Sequence, residues 1–229
     1  MMLLRQHPMS ENELRQCLRI ATGATLGFLV AKLTNSNYGV FFTVTPMLLL
    51  GLVPVMNAHA ARQLLAASVI CGLEVGVLAG FFGGHPGLMA PLAFLLFLYR
   101  FACMSRGALF LFGANSVIGL SIMLNFASFP QTDLDALIMT NMAANLFSIA
   151  VAFALTVLIP DTEPRPAYRP GPKEPHRMRH EALLGASVAT LSFLVFQLFD
   201  LSDSLSAQAT TLLLLFPMHW NGALSYARK

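Results

Sequence analysis

The chain has 229 residues, 56% of them hydrophobic and only 11% charged, with a mean hydropathy of +0.66. Soluble globular domains carry about 25% charged residues, so this composition excludes a water-soluble domain and points to membrane spans. The formal net charge of +3 is small, no nucleic-acid partner is expected, and charge placement says more than charge total.

Ser10 and Glu13 have the spacing of a capping box and predict a helix start there. Arg15 and Arg19 make its first turns amphipathic, as suits a helix rising out of the headgroups. A first span is predicted over 18–33, a turn at Asn35-Ser36-Asn37, and a second span over 38–56 with Pro46 inside it. Residues 57–63, with His59 and Arg62, read as a short loop. A third span follows over 64–82, then an uncharged turn at 83–87. The fourth span, 88–104, ends near Tyr99-Arg100, and the fifth covers 108–126. A polar, acidic turn at 130–135 leads to a sixth span over 136–159.

Residues 161–180 are different in kind. Pro164, Pro166, Pro170, Pro172 and Pro175 stand among Arg, Lys, Glu and His. Such a segment builds no core and favours extended structure, so it reads as a linker. A seventh span is predicted over 182–199, an acidic turn at Asp200 and Asp203, and an eighth span over 205–220.

The ten residues from Ala24 to Leu33 recur from Ala189 to Leu198 with seven identities, at an offset of 165. The expected fold is therefore an all-α membrane protein: a six-helix repeat over 1–160, a linker over 161–180, and the first two helices of a second repeat over 181–229. Six spans are an even number, so the second copy enters in the same orientation as the first, a parallel repeat. The chain stops after two spans of the second copy, which reads as a fragment of a longer protein.

Basic residues sort to one side. Arg5, Arg15, Arg19, Arg62, Arg100, Arg106, the linker cations, Arg228 and Lys229 share it, and the opposite turns carry Asp133, Asp135, Asp200 and Asp203. The positive-inside rule then places both termini and the linker in the cytoplasm. Lys32 alone dissents. It reads as a side chain that snorkels or as an anion-attracting charge at the outer mouth.

Glu74 lies mid-way along the third span. A carboxylate at a helix centre costs ~3 kcal/mol on insertion scales, so it is functional or paired. It reads as a proton-coupling group. The structural alternative is a partner for Lys32, Arg62 or a neighbouring hydroxyl. Ser68, Gly72, Gly76 and Gly80 recur every four residues and form a helix-packing ridge. Thr43, Thr45 and Pro46 interrupt the second span, and Thr45 matches Thr210 at the repeat offset, with Pro217 beyond. Broken helices at corresponding places in two repeats point to a substrate path. A tolerated kink is the plainer reading. Asn115, and Asn141 with Asn145 on one helix face, can bind polar substrate groups or serve as glue between helices. Arg62, Arg100 and Arg106 are orientation signals first, able to gather anions at the inner face.

Walker A, HExxH and GxSxG patterns are absent, and Cys17, Cys71 and Cys103 lack ligand spacing. No enzyme activity, cofactor or metal is expected.

The amphipathic start Leu14-Arg15-Gln16-Cys17-Leu18-Arg19, the stretch from Tyr38 to Pro46, Arg62 ahead of the glycine ridge, and six spans before a second copy resemble the fusaric-acid-resistance-like superfamily. That superfamily includes the bacterial aromatic acid exporters and, more distantly, the plant aluminium-activated malate transporters. Gly39-Val40 stand where its usual Trp occurs, and the inter-repeat segment is much shorter than the exporters' cytoplasmic domain. The resemblance implies a multi-pass protein of the bacterial inner membrane that moves small organic, often aromatic, anions. It implies proton-driven export or a passive anion channel, a homodimer, and a periplasmic adaptor as partner. A membrane scaffold subunit that moves nothing is the remaining alternative.

The charge pattern predicts that Ser36→Cys, Gly84→Cys and Thr132→Cys label from the periplasmic side and Gly171→Cys only from the cytoplasmic side. Periplasmic labelling at position 171 overturns the orientation.

Overall fold

A computed structural model describes residues 10–53, 56–82, 86–129, 131–163 and 174–199. Among these residues the chain is all-helical, with α1 (Glu11–Leu33), α2 (Val40–Leu52), α3 (Ala58–Phe82), α4 (Pro86–Ser105), α5 (Phe110–Ala127), α6 (Leu134–Leu158) and α7 (Pro175–Leu198). Among the described residues, four stretches are long and apolar enough to cross a membrane: Ala58–Phe82, Leu88–Ser105, Phe110–Ala127 and Leu134–Leu158. The predicted eighth span, with Thr210 and Pro217, and the turn at Asp200 and Asp203 lie outside the described residues.

Three boundaries differ from expectation. Helix α3 begins at Ala58, so residues 58–63, with His59 and Arg62, are helical rather than a loop. Alanine, arginine and glutamine are strong helix formers, and Gln63 is held from a neighbouring helix, as described below. Helix α7 begins at Pro175, inside the segment read as linker. Proline suits the first helical turn, where its missing N–H is not needed, and Arg177 pairs with Glu181 one turn on at 3.0 Å. Helix α2, at 13 residues, is shorter than the predicted second span.

The chain divides into two compact units. The first holds α1, α2 and α6 from Ala144 onward. Helix α1 starts with a reciprocal capping box: Ser10 N–H donates to Glu13 Oε2 at 2.7 Å and Glu13 N–H to Ser10 Oγ at 3.3 Å. It ends in the expected turn, where Asn35 takes a left-handed φ of 46°. Asparagine tolerates that region better than most residues.

Helices α1 and α2 meet through glycine. A Cβ at Gly27 would lie 1.8 Å from the Phe42 carbonyl oxygen, and one at Gly23 would meet Leu50 at 2.6 Å. Phe42 stands four residues before Pro46, which has no N–H to give it. The carbonyl that Pro46 leaves without its helical donor therefore occupies the space above Gly27. The segment after α6 is clasped to α1. Buried Arg19 pairs with Asp161, Arg15 Nη1 donates to Pro160 O at 2.7 Å, and Thr162 N–H donates to Asn12 Oδ1 at 2.9 Å.

The second unit holds α3, α4, α5, the first turns of α6, and α7. Helix α5 is buried on nearly every side, as its all-round apolar sequence requires. Helix α4 packs on α5 and α7. A Cβ at Gly113 would lie 2.6 Å from Arg100 O, and one at Gly185 2.7 Å from the Phe101 ring.

Gly27→Ala is expected to lower unfolding stability by about 1–3 kcal/mol, the range for forcing atoms into a packed core. Gly51→Ala, whose Cβ meets nothing closer than Ile20 at 3.9 Å, is the control. Chemical unfolding in detergent compares them, and equal stabilities would contradict the close α1–α2 approach.

Candidate functional site

Helix α3 carries Glu74 and helix α4 carries Arg100. Only three residues separate the two helices, so they run in opposite senses. Side chains lean towards the N-terminus of their own helix, and in opposed helices Glu74 and Arg100 lean towards each other. Arg100 Nη2 donates to Glu74 Oε1 in an ion pair. The Arg100 side chain is 1% exposed and that of Glu74 21%. Glu74 is thus paired with Arg100, not with Lys32, Arg62 or a hydroxyl, and Arg100 is more than a topology signal.

Burial of two charges is costly unless geometry and extra contacts compensate. The guanidinium carbon lies 4.8 Å from the Phe112 ring centroid and 5.1 Å from that of Tyr99. Ring faces offset part of the desolvation. Glu74 Oε2 and Arg100 Nε and Nη1 are buried with no hydrogen-bond partner.

Glu74 also lines a cleft of about 440 Å³, whose other walls are Leu73, Val77, Leu78 and Phe82 of α3 with Leu92, Leu95 and Leu96 of α4. On α4 these positions follow helical spacing and share one face. Among the described residues that line it, Glu74 is the charged one. Chemically, the site is an apolar groove with a carboxylate–guanidinium pair packed behind its wall.

The ridge of α3 is used unevenly. Cβ atoms at Gly72 and Gly76 would meet Ile138 of α6 at 3.0 and 3.5 Å, while Gly80 faces open space. Buried Asn141 donates to Ser68 Oγ at 3.5 Å, so it ties α6 to α3. Asn115 is half-buried on α5, and Arg62 is exposed in the first turns of α3. Lys32, Thr43, Thr45, Pro46 and Asn145 belong to the other unit. There Lys32 is exposed with its Nζ 5.6 Å from the Phe28 ring centroid, Thr43 and Thr45 are half-buried, and Pro46 and Asn145 are buried.

Two roles escaped the sequence reading, that of Arg100 inside its span and that of Gln63. Arg100 was readable as internal to a span, because Phe101-Ala102-Cys103-Met104 extends the apolar run beyond it. Gln63 carried no such signal. Its oxygen accepts the Phe112 N–H at 3.0 Å, and its Nε2 donates to Ala108 O at 2.8 Å and lies 2.7 Å from His59 Nε2. Phe112 is the third residue of α5, whose own N-cap, Leu109, has no side-chain bond to offer. Gln63 therefore caps α5 from α3 and seats Phe112 against Arg100.

Gln63→Leu leaves a buried helix-end N–H without its acceptor. It is expected to destabilise the fold by about 1–3 kcal/mol, read by thermal unfolding in detergent. Stability equal to wild type would contradict the cross-helix cap.

Comparison with known proteins adds one match. Residues 16–155 match the profile of a family described as protein of unknown function (DUF2955). The match takes in both Glu74 and Arg100. No curated protein matches the chain, and no solved structure does. Since the match spans well over half of its residues, the chain belongs to the DUF2955 family.

Proposed function

We propose that this chain is a secondary transporter of small organic anions, with flux linked to protons through Glu74. The observation that carries the reading is the buried Glu74–Arg100 pair packed behind an apolar cleft that Glu74 helps to line. Ionisable groups inside a membrane helix are expensive and mark ion or substrate pathways. An acid able to exchange a proton, set against a fixed cation, is the minimum equipment for coupling. The resemblance to the fusaric-acid-resistance-like superfamily supports the same class of cargo and the export direction. It also supports placement in the bacterial inner membrane, with the termini cytoplasmic, in a parallel-repeat homodimer that engages a periplasmic adaptor.

The test is flux of 2-naphthalenesulfonate from liposomes containing the purified chain. This anion stays ionised at working pH and does not cross a bilayer unaided. A pH gradient is expected to change wild-type flux, and in Glu74→Gln the ratio of flux with and without the gradient falls to about one. The amide keeps the shape and hydrogen bonding but does not titrate. Wild-type flux indifferent to the gradient indicates a passive channel. Absence of flux indicates a scaffold. A wild-type gradient response in Glu74→Gln removes Glu74 from the coupling.

A further inference from the structure

We propose that the groove between the end of α4 and the start of α7 binds one anionic phospholipid, with its phosphate on Arg106 and Arg179 and an acyl chain along the apolar walls. The inference does not depend on the transport reading.

Helix α4 is long and apolar enough over Leu88–Ser105 to cross a membrane, and Arg106 follows its last residue. Gly107, at a left-handed φ of 72°, ends the helix there. Arg106 therefore stands where an apolar span meets the headgroups. On α7, Arg179 lies in the first turns, ahead of the apolar residues that begin at Ala182.

The two helices pack together, and a Cβ at Gly185 would lie 2.7 Å from the Phe101 ring. Beside this contact lies a groove of about 430 Å³. Leu98, Ala102 and Arg106 line one wall at i, i+4 and i+8, and Met178, Arg179 and Leu183 line the other. The groove is graded along its length. Both arginines stand at helix ends, and Leu98 and Leu183 lie deeper along their helices. From Arg106 back to Leu98 is about 12 Å at helical rise, most of the ~15 Å hydrocarbon depth of one leaflet.

The cations at the mouth are unspent. Arg106 and Arg179 are exposed, and neither guanidinium has a hydrogen-bond or ion-pair partner among the described residues. No carboxylate is among the described residues that line the groove. The acids at the start of α7 are Glu181, held by Arg177 at 3.0 Å, and Glu174, exposed at the N-cap.

Two unpaired guanidinium groups above apolar walls fit a phosphate that carries a hydrocarbon tail. A free phosphate leaves the walls unused. A zwitterionic headgroup brings a cation of its own to the arginines. A phospholipid of net negative charge satisfies both ends of the groove. Bound there, it ties α7 to α4 next to the contact of Gly185 with Phe101.

The experiment is native mass spectrometry of the full chain in detergent, given equal amounts of phosphatidylglycerol and phosphatidylcholine with the same acyl chains. Wild type is expected to retain one phosphatidylglycerol in preference by about tenfold or more, the scale for two arginines acting at a membrane surface. Arg106→Gln with Arg179→Gln removes two exposed charges and leaves the helix packing alone. It is expected to bring the ratio of the two lipids to about one. Ala102→Phe fills the groove, keeps both arginines and is expected to lose the bound lipid. If Ala102→Phe fails to fold, the double variant alone decides. Equal retention of the two lipids by wild type overturns the proposal, as does a preference that survives in the double variant. A preference that survives in folded Ala102→Phe assigns the effect to surface charge without the groove. Inorganic phosphate that displaces the lipid at matching concentration assigns the cations to a free anion. A dimer that is lost in the double variant assigns the groove to a second copy of the chain. Each of these three also overturns it.

Discussion

A carboxylate and a guanidinium meet between two membrane-length helices, and neither is tolerable there alone. Removing either from water costs several kcal/mol even after relaxation. The ion pair of Glu74 and Arg100 therefore constrains the helices around it. Helices α3 and α4 must present the two side chains to each other, and α5 must present Phe112 to the guanidinium. Gln63 fixes the start of α5 from α3, so the aromatic contact and the ion pair depend on the same helices. The pair borders the cleft on one side and the packed interior on the other.

Close backbone approach is the second theme. Gly113 lets α5 lie against the Arg100 carbonyl, and Gly185 lets α7 cover Phe101. Both glycines border the helix that holds the cation. In the other unit Gly27 accepts the carbonyl released by Pro46. Small residues at helix contacts are the general membrane solution, since lipid supplies no hydrophobic drive between helices. The proline that read as a kink or a substrate path is here also a packing feature. The freed carbonyl rests over a residue without a side chain.

Local signals in the sequence carried far. The capping box at Ser10 and the turn at Asn35 are written in adjacent residues and depend on nothing distant. Long apolar runs dictated helices in place of strands, because a chain in lipid must satisfy its backbone within itself. Glu74 stood out because one acidic residue interrupts an apolar run. Arg62 and the residues from Pro175 to His180 were misplaced as loop and linker, because polarity was taken as the end of a helix. Helix propensity and an i,i+4 ion pair outweigh polarity at a helix end.

Composition and periodicity by themselves determined the membrane class, the helical character, the first helix cap and the acid worth singling out. The tertiary structure decided the partners. Arg100 for Glu74, Asp161 for Arg19 and Gln63 for the start of α5 are separated by 26, 142 and 49 residues. Helix caps and apolar periodicity act over three or four residues, so a single chain displays them directly. An ion pair or a cross-helix cap depends on which helix faces meet. That choice is made by the packing of glycines and rings around them, and no local spacing encodes it.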